Sequence, residues 1–201
     1  MFNLIVAVIS IALIAAMAAA SIYYGGDGFG KSSARAQAAT LISQAQQISG
    51  AASLFRVENA GSSVASTNPD CGSGVFAACA INRLSDGGFL QAIPSFPADV
   101  AVQSDQIAAV ETAFGEPPGT FSWMNRWTVS DTGDLARIFL NETARDAVCA
   151  EVESQGGDGR AAMVGLDAAG FDLTDPNGSN YRCADLDLGG GVVVTAFGFR
   201  L

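Results

Sequence analysis

The chain opens with twenty-four residues, MFNLIVAVISIALIAAMAAASIYY, that carry no charged side chain, and its first cation is Lys31. From Leu4 to Tyr24 the run is long enough to cross the roughly 30 Å hydrocarbon core of a bilayer as a helix. Three uses fit such a segment: a removed export signal, a permanent anchor, or a surface that packs against copies of itself. An export signal carries a cationic leading region before its apolar run and an A-x-A-like site after it. Ala18, Ala19, Ala20 and Ser21 supply the second feature, but only Met1, Phe2 and Asn3 precede the apolar run. The expectation is therefore a retained segment. Its small residues, among them Ala7, Ala12, Ala15, Ala16 and Ala19, would let helices approach closely. Val6, Val8, Ile9, Ile11, Leu13 and Ile14 make it apolar all round, as suits a helix surrounded by lipid or by other helices.

Beyond this segment the chain is polar and acidic. Its 201 residues fit one domain plus an appendage, and the expected division is a helix over 1–57 and a globular head over 58–201. Ten basic against twenty acidic residues give a net charge of −10. That balance argues against nucleic acid, since phosphate binding relies on clustered Lys and Arg. Histidine is absent, which removes the commonest general base and metal ligand and rules out Ser-His-Asp and Cys-His catalysis. The acids are spread along the chain as a solvated surface would spread them, so no enzyme is expected.

Four cysteines allow three pairings. Without histidine or a C-x-x-C spacing, zinc is a poor fit. An even count behind an export-type segment points instead to disulfides in an oxidising compartment. The spacing favours Cys71 with Cys79 and Cys149 with Cys183. The second bond would close a loop of about 33 residues, worth about 3 to 4 kcal/mol in the chain-entropy model.

Gly25, Gly26, Gly28 and Gly30 follow the apolar run at once. Glycine costs about 1 kcal/mol relative to alanine inside a helix, so residues 25–30 read as a hinge that interrupts it. Helix is expected to resume over 31–57. There Leu41, Ala45, Ile48, Ala52 and Phe55 fall on one stripe, packed on the head, and Gln44, Gln47 and Ser53 lie opposite. Residues 62–74 read as a loop, and Asp86, Gly87 and Gly88 as a turn. SDQIAAVETAF reads as a short helix capped by Ser104, with Ile107, Val110 and Phe114 on one side. Strands are expected at Thr120–Val129 and Leu135–Leu140, joined as an antiparallel hairpin through Ser130, Asp131, Thr132 and Gly133. A helix follows over Thr143–Ser154, with Ala144, Val148, Cys149 and Val152 inward. Further strands are expected at Ala161–Leu166 and Gly191–Phe199. A long helix on a small antiparallel sheet is an α+β fold.

Two further groups carry alternatives. FDLTDPNGSN brings Asp172, Asp175, Asn177 and Ser179 together at a spacing like that of calcium loops, but it lacks the sixth-position glycine and the bidentate glutamate. Asp-Pro-Asn-Gly is above all a turn sequence, so calcium is the weaker reading and no other metal or cofactor is expected. Phe121, Trp123, Trp127 and Tyr181 could form an aromatic binding patch, although their alternation suits packing in a strand better.

The order of these parts resembles a type IV pilin in its mature form, most like the type IVb subclass. The likeness spans the whole architecture. Motif-level similarity is confined to Met1–Tyr24, to LSDGGFLQAIP at 84–94, and to Cys149 with Cys183 enclosing a region that ends in VVVTAFGF. The resemblance implies a subunit held in the bacterial inner membrane and then packed, through Met1, Phe2, Asn3, Leu4, Ile5, Val6, Ile9 and Leu13, into the core of an extracellular homopolymeric filament. It also implies an ATPase-driven assembly machinery as partner, no cofactor, and a role in adhesion, motility or uptake. The family usually carries a glutamate fifth from its mature amino terminus, where this chain has Ile5, leaving Asn3 as a neutral acceptor. Two other functions stay open: a minor pilin or pseudopilin of a secretion machine, and a membrane-anchored periplasmic binding domain.

Overall fold

In the computed structural model, described over residues 2–64, 76–96, 99–129, 133–162, 179–187 and 192–201, the chain is α+β. One helix, α1 (Phe2–Glu58), precedes a head of α2 (Phe76–Asp86), α3 (Ser104–Phe114), a short 3-10 helix (Ser122–Asn125), β1 (Thr128–Val129), β2 (Leu135–Leu140), α4 (Arg145–Ser154), β3 (Asp158–Ala162), β4 (Tyr181–Asp187) and β5 (Val193–Arg200).

The expected break at Gly25–Gly30 is absent, because α1 is helical throughout. Each glycine weakens a helix by about 1 kcal/mol. Ending the helix and starting another would instead leave four N–H and four C=O groups unbonded and require a second costly nucleus. Continuing is the cheaper course.

The stripe expected on the second half of α1 is the core of the molecule. Leu41, Ala45, Ile48 and Ala52 have no exposure, and Phe55 is buried with them. They pack with Ala136, Ile138 and Leu140 of β2, Phe197 and Phe199 of β5, and Val148 and Val152 of α4. Gln44, expected on the outer face, turns inward instead. Its Oε1 accepts from Trp127 Nε1 at 2.8 Å and its Nε2 donates to the Ser95 carbonyl at 3.1 Å. The amide lies close enough to the stripe to reach the fully buried indole, which needs an acceptor.

Five strands form one sheet in the order β1-β2-β5-β4-β3. Three pairings are antiparallel, among them the expected β1–β2 hairpin, but β3 runs parallel to β4. The sheet is therefore mixed, correcting the all-antiparallel expectation. A parallel neighbour needs a crossover of a dozen or more residues, and residues 163–180 supply that length. Alternation sorts the side chains: Ala136, Ile138, Cys183 and Phe197 face α1 and α4, while Leu135, Phe139, Ala184 and Ala196 face α3 and the 3-10 helix.

Three local expectations change. Thr120–Val129 is a strand only at its last two residues, because the buried Glu111 carboxylate accepts the backbone N–H groups of Gly119 at 2.8 Å and Phe121 at 3.0 Å. That fold-back tightens the chain into the 3-10 turn. The cap of α3 is Gln103, one residue earlier than expected, whose N–H donates to Gln106 Oε1 at 3.2 Å. Third, β4 and α2 are elements that the reading of the sequence did not anticipate. The turn ending α2 was anticipated: Gly88 takes φ 76°, and a Cβ on Gly87 would stand 2.9 Å from the Arg83 carbonyl oxygen. It returns Phe89 against Phe55, with ring centroids 5.4 Å apart.

Truncating Ile48 to alanine should cost about 2 to 5 kcal/mol, as for buried aliphatic positions generally. Gln47→Ala, at an exposed position of the same turn, should stay within about 0.5 kcal/mol. Chemical denaturation of the full chain in detergent measures both.

Candidate functional site: the exposed half of the first helix

Ile5–Ile22 lies wholly outside the fold, with none of its eighteen residues buried. Nine large apolar side chains in it, from Ile5 to Ile22, are 53% to 78% exposed. The segment is about 27 Å long at 1.5 Å per residue, so by length and composition it can cross a membrane. Its two hydroxyls are turned inward. Ser10 Oγ donates to the Val6 carbonyl at 2.9 Å and Ser21 Oγ to the Met17 carbonyl at 2.8 Å. Bonding four residues back satisfies each hydroxyl within its own helix and leaves the surface almost without free donors. Serine within an otherwise apolar helix is the sequence signal for this arrangement.

Of the residues expected to act in assembly, Ile5, Val6, Ile9 and Leu13 stand on this exposed surface. Met1 lies outside the described residues, as do the side chains of Phe2, Asn3 and Leu4. Gly25, Gly26, Gly28 and Gly30 are helical, and a Cβ at Gly30 would meet nothing within 4 Å.

Where α1 joins the head, polar contacts fasten it at several levels along its length. Arg35 Nε reaches Glu151 of α4 at 3.3 Å, Gln44 holds Trp127, and Arg56 Nη2 donates to the carbonyls of Gly133 and Leu201 at 3.4 Å each. α4 is in turn fastened to the sheet by the Cys149–Cys183 disulfide, which bridges α4 to β4 across a Cα separation of 5.8 Å. Cys71 and the side chain of Cys79 lie outside the described residues.

A charged cluster adds a second tie. Arg160 of β3 bonds Asp146 in the first turn of α4 at 2.7 Å and Asp185 of β4 at 2.6 Å, and its Nη2 donates to Thr195 Oγ1 of β5 at 3.1 Å. The hydrogen bond from Arg160 holds the Asp146 carboxyl below its ordinary range against the opposing effect of burial, and the charges of Arg160 and Arg145 assist. For Arg160 burial disfavours the charge, but its bonds to Asp146 and Asp185 outweigh that and raise its pKa.

The calcium candidates are not brought together in view. Asp172, Asp175 and Asn177 lie outside the described residues, and Ser179 Oγ donates to the Tyr181 carbonyl at 2.9 Å. Among the described residues no group of three or more Cys, Asp or Glu is placed to hold a metal. The aromatic residues divide between the two faces of the sheet. Trp127 and Tyr181 pack on the α1 side, and Trp123 and Phe121 on the other, so they form no common patch.

Compared with protein-family models, curated proteins and solved structures, the chain matches none.

Removing the disulfide by Cys149→Ala with Cys183→Ala should cost about 2 to 5 kcal/mol, read by thermal unfolding against the oxidised chain. The pH dependence has a definite sign. A carboxyl with a lower pKa folded than unfolded stabilises fully above the unfolded value, and that contribution is lost as pH falls through the folded one. Stability should therefore drop as pH falls below about 4. Asp146→Asn should flatten part of that drop in denaturation series run from pH 6 to pH 2.

Proposed function

We propose that the chain is a structural subunit that polymerises through its apolar amino-terminal helix into an extracellular filament of the type IV pilus kind, after residing in the bacterial inner membrane. One observation carries this reading. A single unbroken helix has one face of its second half sealed into a folded head and its apolar stretch Ile5–Ile22 exposed. Such a half-helix is not stable against water. Each large side chain gains about 1.5 to 3 kcal/mol when buried, and nothing among the described residues buries it. Lipid can cover the segment before assembly and neighbouring copies afterwards, and its small residues and self-satisfied serines suit both surroundings.

The head supports the same role. The disulfide and the Arg160 cluster fix α4 to the sheet, and α4 packs along α1, so the helix leaves the head in a fixed direction. A contact between the helix of one copy and a different surface of the next does not close on itself and builds an open helical polymer. Ile5 stands where the resembling family usually carries glutamate, so registration between copies here rests on shape and apolar packing at that position. In this role the chain makes no bonds and needs no cofactor. Adhesion, motility and uptake are the activities such a filament serves. Minor-pilin or pseudopilin duty would use the same helix in shorter assemblies, and a membrane-tethered head would use it without polymerising.

Electron microscopy of material sheared from cells that make this chain should show long uniform fibres that contain it. Leu13→Asp should abolish them while leaving the head's unfolding midpoint unchanged, because a carboxylate at the centre of an apolar span costs about 2.5 to 3.5 kcal/mol. A head that remains monomeric, on a membrane that sheds no fibres, would overturn the proposal.

A further inference from the structure

The register of the sheet gathers cations at one of its corners. Arg137 of β2 stands opposite Gly198 of β5, Gly198 opposite Arg182 of β4, and Arg182 opposite Asp158 of β3. Neighbouring strands lie about 4.8 Å apart, so the two arginine Cα atoms are about 10 Å apart, with a residue that has no side chain between them. In the next row Arg200 of β5 stands opposite Leu135. All three arginines alternate onto the face that carries Leu135, Phe139, Ala184 and Ala196. Three guanidinium groups thus share two adjacent rows with the Asp158 carboxylate, in a chain with ten cations among 201 residues and a net charge of −10. Each arginine is held differently. Arg137 is buried, its guanidinium 5.7 Å from the centroid of the Trp123 ring and 5.8 Å from that of Phe139. Arg182 is almost buried; its Nη2 is ion-paired with Asp158, while its Nε is buried with no acceptor among the described residues. Arg200 is exposed.

We propose that this corner of the sheet binds a tetrahedral oxyanion, a phosphate or sulfate group, beside Gly198. The inference goes beyond the filament reading and does not depend on it. A buried charged donor left without an acceptor is costly and calls for an ion or water to meet it. An oxyanion brings that acceptor to Arg182 Nε. Arg200, on the neighbouring strand and open to solvent, supplies a second planar fork of donors, the geometry that oxyanions favour. Arg137, fixed against its two rings, adds positive charge behind them. The donors come from different strands and directions, which suits the oxygens of a tetrahedral group better than a planar carboxylate, whose two oxygens one fork can satisfy. Glycine at 198 puts no side chain between the arginines, as close approach of a ligand to a strand requires. The Asp158 carboxylate beside Arg182 opposes the anion and also holds the Arg182 side chain in place.

The test titrates the full chain in detergent with inorganic phosphate, with glycerol phosphate, and with sodium chloride at matched ionic strength, and follows the thermal unfolding midpoint. Phosphate should raise the midpoint along a saturating curve, as a ligand of the folded state does, and chloride should not. An equal effect of glycerol phosphate marks recognition of the group on a larger molecule, and an effect of phosphate alone marks the free ion as the ligand. Arg200→Gln changes an exposed side chain and should leave the midpoint without phosphate unchanged. It should raise the half-saturating phosphate concentration about tenfold, the worth of a hydrogen bond to a charged group. Arg182→Lys, which keeps the charge but removes the fork, should weaken binding by a similar factor. Lys31→Gln, an exposed change on α1, should leave binding as it is. No saturating effect beyond that of chloride, or equal weakening by Lys31→Gln and Arg200→Gln, would overturn the proposal. A carboxylate of the chain itself seated on these arginines would give the first of those results; Asp131, Asp172 and Asp175 lie outside the described residues.

Discussion

Everything in this molecule hangs on the burial of one stripe of α1. Leu41, Ala45, Ile48, Ala52 and Phe55 form the face on which the sheet closes, and they pack with side chains from β2, β5, α2 and α4. Because most of a helix's stability in a protein comes from packing an apolar face, this contact secures residues 34 to 55 in one orientation. The helix ahead of it then projects as a continuation of the same rod. The exposed segment is thus held in place by a core that it does not touch.

Its two halves show how one secondary structure can serve two solvents. In the second half the buried residues form a stripe, and the outer face is mostly small or polar, with Lys31 and Arg35 charged and Leu54 and Val57 the large apolar residues on it. In the first half apolar residues cover the whole circumference. The backbone is identical in both, and only the distribution of side chains around it changes. The disulfide and the Arg160 cluster act further out. Both fasten α4 to the strands, and α4 with the sheet encloses α1. Partners that lie on different elements and keep their separation fixed are what hold the exit angle of a projecting helix.

Much of this was legible in the chain. The apolar run, the buried stripe, α3, the β1–β2 hairpin, β2, the inward residues of α4 and the Cys149–Cys183 bond follow from periodicity, turn residues and cysteine spacing. These signals are local or depend on one face of one element. Misread were places where a distant partner decides the outcome. Glu111 reaches ahead to the N–H groups of Gly119 and Phe121 and replaces a strand with a 3-10 turn. Gln44 is drawn inward by Trp127, more than eighty positions later. β4 carries Arg182 and Asp185 within it, and these charges are tolerated because Asp158 and Arg160 from β3 meet them.

The sequence by itself determined that the segment from Leu4 to Tyr24 would be apolar and uncharged, since no arrangement of side chains around it offers water a charged face. It also determined which stripe of the second half would be buried, because helical period alone places those residues together. Only the tertiary structure decided that the two halves form one rod. Four glycines within six residues argue locally for a break, but hydrogen bonding through them is less costly than ending the helix and starting again, with the second half already anchored in the head. The same tertiary fact decided that the apolar half points away from its own head and is left for lipid or another molecule to cover.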